Sequence, residues 1–411
     1  MKLCLIILGI LFCFTDYYVT YSQEYQEISI NKIYQVGLPV IRNFLPREYK
    51  AHNQKWAIVT DNRGLMYFGN SGGVLEFDGY RWNLIPVKNG IVRSLAVDDY
   101  GTIFAGSADD FGYLERNNTG QLVYKSLLHF LNINESIGHV WYTFNYKGSI
   151  IFVTNRFIFS FTFSDNSYSS PKIKTWFAEQ RFRIAHKVNN DIYILESAKG
   201  ILKFDGEKFN LIPGSELFKT NTIYSMLPYN EDGSQILIAA RSIGLFIYDG
   251  IRFKSFKTDA DSFIKTNNLY LPGTKLSDGT FVLSTSDAGV IILDRDGNVI
   301  RKINLSTGIL DDGVLYTLHT KNKLWLALQN GISSIDLPSG ISFLGQSSGL
   351  KGAVSDVKII NNIIYAATTA GIFKMDLNKQ SLSNPVFEEI KNINNEAWCI
   401  INYKGKVIAA V

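Results

Sequence analysis

Cysteine is nearly missing from this 411-residue chain. There are three, and two of them, Cys4 and Cys13, fall among the first fourteen residues. Cys399 is then left alone beyond the leader, so no internal disulfide can brace a mature fold. Its neighbours Ala397, Trp398, Ile400 and Ile401 mark it as a buried strand residue rather than a nucleophile. Nine prolines and no three-residue glycine period exclude Pro-rich linkers and collagen. Neither sign of charge prevails: 41 Lys and Arg against 37 Asp and Glu leave +4, with no run of five or six like charges, so nothing suggests a nucleic-acid groove. No apolar run is long enough for a membrane helix. Useful 3.6-residue periodicity is also lacking, which argues against TIM-barrel and Rossmann architectures. The five histidines stand singly with no metal-ligand spacing, and no metal or other cofactor is expected.

Aromatic residues are abundant, with 27 Phe, 22 Tyr and 6 Trp, and hydrophobic residues make up 46% of the chain. That composition favours a β-rich globular fold with ample core. The chain opens with Met1-Lys2 and a 12-residue apolar stretch, Leu3 to Phe14, followed by the small residues Thr20 and Ser22. This has the length and order of a secretory signal peptide, with cleavage expected after Ser22 and export of the remainder.

A turn recurs at Gly64, Gly101, Gly148, Asn190, Gly233, Gly279, Asn322, Asn362 and Gly405, at spacings of 37 to 47 residues. Each is followed by a short apolar strand such as Leu65 to Gly69, Thr102 to Gly106 or Leu324 to Leu328. Then comes a second strand closed by Asp-Gly, as in Gly73 to Gly79, Gly200 to Gly206 and Gly244 to Gly250. Asp-Gly between alternating apolar residues predicts a two-residue type I′ hairpin with positive φ at both central positions. A further strand follows, for instance Arg81 to Ile85. Each repeat is therefore a four-stranded antiparallel meander, which cannot bury both of its faces alone, and radial packing into a β-propeller is the solution at this period. The expected organisation is all-β: a signal peptide at 1–22, an N-terminal segment at 23–52, a propeller of about seven blades at 53–345, and the truncated start of a second propeller at 346–411. Glu27 to Ile33 is a candidate closing strand for the chain's last blade.

The repeat Asp61 to Asn70 with Gly73 to Gly79 resembles the two-component regulator propeller repeat of bacterial sensor proteins. The stretch Gly37 to Asn43 with Tyr49 to Trp56 is similar to the N-terminal segment of a large subset of them. The resemblance implies an extracytoplasmic ligand-sensing region. In such proteins it continues into a second propeller, a triple-tyrosine immunoglobulin-like domain, a membrane helix and a cytoplasmic kinase, cyclase or helix-turn-helix output module. No triple-tyrosine domain, membrane helix, kinase or DNA-binding module is expected within these 411 residues.

Several motifs read better as turns. Gly69 to Gly73 and Gly345 to Gly349 match G-x-S-x-G without the strand, elbow and helix that a hydrolase nucleophile needs. Asp110-Phe111-Gly112 lacks every companion motif of a kinase. Asp294 to Asn298 lacks the downstream glutamate of a calcium loop. The candidate site is a register instead. Six to nine residues before successive turns stand Trp56, Arg93, Trp141, Arg183, Tyr224, Tyr270 and Tyr316, at the starts of the innermost strands, with Ser355 and Trp398 in the two repeats that follow. Inner strands surround a propeller's channel, so these stacking faces and donors are expected to ring one mouth, where they suit a small polar ligand such as an oligosaccharide. The bland alternative is that they wedge between blades. The reading that follows is a non-enzymatic sensor region on the periplasmic side, tethered to the membrane only by sequence outside this chain and compatible with a homodimer. A carbohydrate-active propeller enzyme and a protein-interaction platform are the competing readings.

Overall fold

A computed structural model describes residues 37–411 except 166, 338, 379–385, 392 and 394. The expected signal peptide and the candidate strand Glu27 to Ile33 lie outside the described residues. The chain divides into two units, one built on residues 37–351 and one containing 352–378 and 389–411.

The larger unit is a closed seven-bladed propeller of four-stranded antiparallel sheets. The first six blades follow chain order at 55–86, 92–126, 142–177, 182–211, 223–256 and 269–303. Blade 7 takes three strands from Val314–Thr320, Lys323–Leu328 and Gly331–Asp336, and its fourth, outer strand from Ile41–Phe44. The pairing of Ile41 with Ile335 and Phe44 with Ile332 shuts the ring with residues that precede the expected start at 53. Asn43 adds two side-chain contacts across this closure: its amide donates to the Gly308 carbonyl at 2.8 Å, and Ser333 Oγ donates to its Oδ1 at 2.7 Å.

Every blade is buried on both faces, which explains why the second strands read as unbroken apolar runs. In blade 5, Ile236, Ile238 and Ala240 face the core shared with blade 4, while Leu237 and Ala239 face the core shared with blade 6. Seven such cores fill the seven gaps between blades. At the closure, Phe44 is 1% exposed and packs against Phe77 at 5.3 Å, Trp82 at 5.4 Å and Trp325 at 5.8 Å between ring centroids.

The Asp-Gly turns differ from the expected two-residue form. Gly79, Gly206 and Gly250 have positive φ, but Asp78, Asp205 and Asp249 do not. Each aspartate instead accepts two amide hydrogens two and three residues on, as Asp78 Oδ1 does from Tyr80 and Arg81 at 2.8 and 2.6 Å. The loop therefore holds four residues, shaped by the aspartate side chain rather than by a second left-handed position.

In the smaller unit, Val354–Ile360, Ile363–Thr368 and Gly371–Asp376 form an antiparallel sheet, and Cys399–Tyr403 pairs with Lys406–Ala410. Cys399 is exposed rather than buried, because strand alternation turns Ile400 inward and its neighbour outward.

Candidate functional site

The inner strands carry a shared irregularity. In blades 1, 2, 4 and 5 one extra residue interrupts the pairing between first and second strands, and it is Trp56, Arg93, Arg183 and Tyr224 respectively. Ser355 is the corresponding residue in the smaller unit. A bulge releases one residue from the ladder and re-aims its side chain, so an offset of seven to nine residues from the turn selects the same structural position in these four blades. Trp141 precedes the first strand of blade 3, and its amide donates to the Val153 carbonyl at 2.9 Å. The irregularity in blade 6 follows Tyr270 and runs to Thr274. In blade 7 the extra residue is Leu315, one position ahead of Tyr316.

Five of the seven expected side chains line a central cavity of about 430 Å³: Trp56, Arg93, Trp141, Tyr270 and Tyr316. The other two lie elsewhere. Arg183 turns toward the loop entering blade 5, donating to the Lys219 carbonyl at 3.2 Å and to Thr222 Oγ1. Tyr224 packs face to face behind Tyr270, with centroids 6.2 Å apart, and does not line the cavity.

The arginine dominates the site. Its Cζ lies 3.8 Å from the Trp56 ring centroid and 5.1 Å from that of Trp141. Trp141 is held from behind, since its Nε1 donates to Asn155 Oδ1 at 3.1 Å and Asn155 Nδ2 donates to the Phe182 carbonyl at 3.0 Å. His139 packs against the same indole at 5.2 Å. Among the described residues, buried Nε and Nη1 of Arg93, Nε1 of Trp56 and Nδ1 of His139 have no hydrogen-bond partner. Burial lowers the pKa of the Arg93 guanidinium and, with the nearby Arg93 charge, that of the His139 imidazole. Burial raises the hydroxyl of Tyr316 to about 12 and pushes that of Tyr270 up as well.

Tyr142, Asn145, His186 and Lys187 also belong to the cavity wall and were not expected there. Tyr142 immediately follows Trp141, and sequence spacing alone gives no reason to prefer it. Beneath the mouth, hydroxyls tie neighbouring inner strands together. Ser94 Oγ donates to the Val140 carbonyl at 2.9 Å, Ser225 Oγ accepts from the Gly273 amide at 2.7 Å, and Thr317 Oγ1 donates to the Pro272 carbonyl at 2.6 Å.

The motifs read as turns occupy turns. Gly69 to Gly73 bridges two strands of one hairpin, and Asp294 folds the 294–298 loop by accepting from the amides of Asp296 and Asn298 at 2.9 and 2.8 Å. Asp110 forms the turn, while Phe111 and Gly112 begin the next strand. Among the described residues no three His, Cys, Asp or Glu side chains gather as a metal site. A larger cavity of about 930 Å³ lies at the seam of blades 7 and 1, and four of its charged residues are paired with each other: Arg63 with Asp61 at 2.6 Å, and Lys323 with Asp336.

No protein-family model matches the chain, and no curated protein matches it. Solved structures do. The extracellular domain of a protein described as a hybrid two-component system of B. thetaiotaomicron superposes with a TM-score of 0.60 at 15% identity, over 90% of this chain and 52% of that one. The extracellular domain of a protein of the same organism described as a one-component system gives 0.56 at 13%, over 90% and 51%. Virginiamycin B lyase from Staphylococcus aureus gives 0.53 at 11%, over 72% of this chain and 99% of that one. The chain spans about half the length of the first two. At these identities the likeness is one of fold, and it agrees with the resemblance carried by the repeats and by the segment around residues 37–56.

Proposed function

We propose that this chain is the extracytoplasmic ligand-binding sensor region of a bacterial transmembrane signalling protein, with no catalysis of its own and with its output module outside the chain. The ligand, a small polar molecule with oligosaccharides as the leading class, binds in the channel of the seven-bladed ring. One observation carries this reading: two indole faces and a guanidinium meet in a cavity of about 430 Å³ whose wall retains buried polar atoms without partners. Aromatic faces match the apolar faces of sugar rings, and fixed donors match their hydroxyls. The fold shared with extracellular domains of two signalling proteins supports the sensor role.

The test is a thermal-shift screen of the whole chain against neutral and charged oligosaccharides. A ligand present at 100 times its Kd stabilises the native state by about 2.7 kcal/mol, which is a readable shift. The shift is expected to vanish in Trp141→Ala and to persist in Arg183→Gln, whose side chain serves the blade 4 to blade 5 contact. A shift that survives Trp141→Ala moves the site away from the channel. Chemical turnover of the bound compound would favour the enzyme reading.

A further inference from the structure

Arg93 carries a charge that the protein leaves uncompensated. A guanidinium stays protonated under physiological conditions, so it cannot relieve burial by becoming neutral as a lysine can. Two indole faces stabilise it in part. No Asp or Glu is among the described residues lining the cavity. Two acids that act on neighbouring groups, Asp109 on His139 and Asp99 on Lys187, are already held: Asp109 Oδ1 accepts from Ser136 Oγ at 2.5 Å and from the Gly138 amide at 2.8 Å, and Asp99 accepts from Asn145 Nδ2 at 2.8 Å. Lys187, the other cation of the wall, has Asp99 as its neighbouring acid and donates to the Asn145 carbonyl at 2.6 Å, so Arg93 is the cation of the wall with no acid beside it. The unpaired atoms of Arg93 and Trp56 are N–H donors, and the Nδ1 of His139 beside them is also without a partner.

Taking the channel as the ligand site, we infer that Arg93, held between Trp56 and Trp141, is the counter-ion of a singly charged oxyanion, a carboxylate or a sulfate ester carried on a sugar-sized ring, bound in the channel beside it. A single guanidinium balances a single negative charge. A dianionic phosphate would keep one charge unpaired in a partly desolvated channel. Charge-assisted hydrogen bonds from the guanidinium supply direction. A channel with one unbalanced cation thus discriminates acidic from neutral sugars of the same shape.

The experiment titrates the whole chain with D-glucuronate, D-glucose 6-sulfate, D-glucose 6-phosphate and D-glucose, followed by tryptophan fluorescence at low salt. Saturable binding of glucuronate or glucose 6-sulfate is expected, with glucose and glucose 6-phosphate weaker, and the stronger of the two monoanions identifies the group. Arg93→Gln should weaken the monoanion about ten- to a hundred-fold, Arg93→Lys should recover part of that loss, and Arg183→Gln should change nothing. Arg93→Met should melt at or above the parent temperature without ligand, because it removes an unbalanced charge while keeping the packing, and this readout needs no ligand. Equal binding of glucose and glucuronate, unchanged anion binding in Arg93→Gln, or no saturation by either monoanion would overturn the inference. A neutral sugar that depends on Trp141 but not on Arg93 sinks the inference and leaves the channel reading standing. Anion binding that survives both Arg93→Gln and Trp141→Ala places the site elsewhere and sinks the channel reading itself.

Discussion

Replacing Phe44 with alanine tests how the ring is closed. The side chain is 1% exposed and meets three aromatic rings at centroid distances of 5.3 to 5.8 Å, with the Arg42 guanidinium 4.6 Å from its own ring. Truncating a buried phenylalanine costs about 3–5 kcal/mol, combining lost transfer energy with the cavity left behind. The upper half of that range applies, because the surrounding rings belong to two blades and are held by their own sheets, so they cannot collapse freely into the gap. A loss of about 4 kcal/mol lowers Tm by roughly 8 °C for a domain of this size, at about 2 °C per kcal/mol. Trp82 and Trp325 touch the deleted ring, so urea unfolding followed by tryptophan fluorescence reads the site directly. The midpoint should fall while the slope of the transition stays constant. Asn43→Ala, which removes two side-chain contacts and strands Ser333 Oγ, should cost about 1–2 kcal/mol by the same assay. A cost below about 1 kcal/mol for Phe44→Ala, or one no larger than that of Asn43→Ala, would refute the view that an aromatic clasp closes the ring.

Two further outcomes follow from buried groups. His186 is 8% exposed, and burial lowers its pKa from 6.5 to about 4. The unfolded chain therefore binds the extra proton first, so His186 costs nothing above pH 6.5 and destabilises the fold progressively as pH falls toward 4, by about 3 kcal/mol at the end of that window. His186→Gln should flatten this acid limb in denaturation curves taken from pH 7 to pH 4, and an unchanged limb would assign the acid sensitivity to other groups. Gly112 is needed for close approach: a Cβ there would sit 1.9 Å from the Lys125 carbonyl oxygen on the neighbouring strand. Gly112→Ala should cost more than about 2 kcal/mol by urea unfolding, and a neutral result would mean that the outer strand of blade 2 shifts without penalty.

How much was legible beforehand depended on whether the information was local. The turn glycines and apolar second strands repeat along the chain, so the propeller architecture and an approximate number of blades can be read from spacing. Trp56 and Arg93 could be found because each bulge falls at a similar offset before its turn. Arg183 obeys the same offset and still leaves the site, since its partners, Thr222 and the Lys219 carbonyl, belong to the next repeat and carry no marker of that role. Tyr316 was one residue out of phase because the interruption in blade 7 falls on Leu315. The closing strand Ile41–Phe44 has four residues and pairs with a distant segment, so no local pattern announces it. Cys399 is exposed despite its apolar neighbours, because strand alternation buries Ile400 and turns the residues on either side of it outward.

The closing strand has a consequence for the order in which this protein can be made. Asn43 and Ser333 are 290 positions apart, yet they meet in one blade. At a synthesis rate of about 5–20 residues per second, the first of these residues waits roughly 15–60 s for the second to exist. During that interval the blades already made can assemble against one another, but both ends of the incomplete ring expose an apolar blade face. Folding of the ring is thus a process of high contact order whose last step is non-local. The interval before closure is when the chain is most open to aggregation or capture by a chaperone.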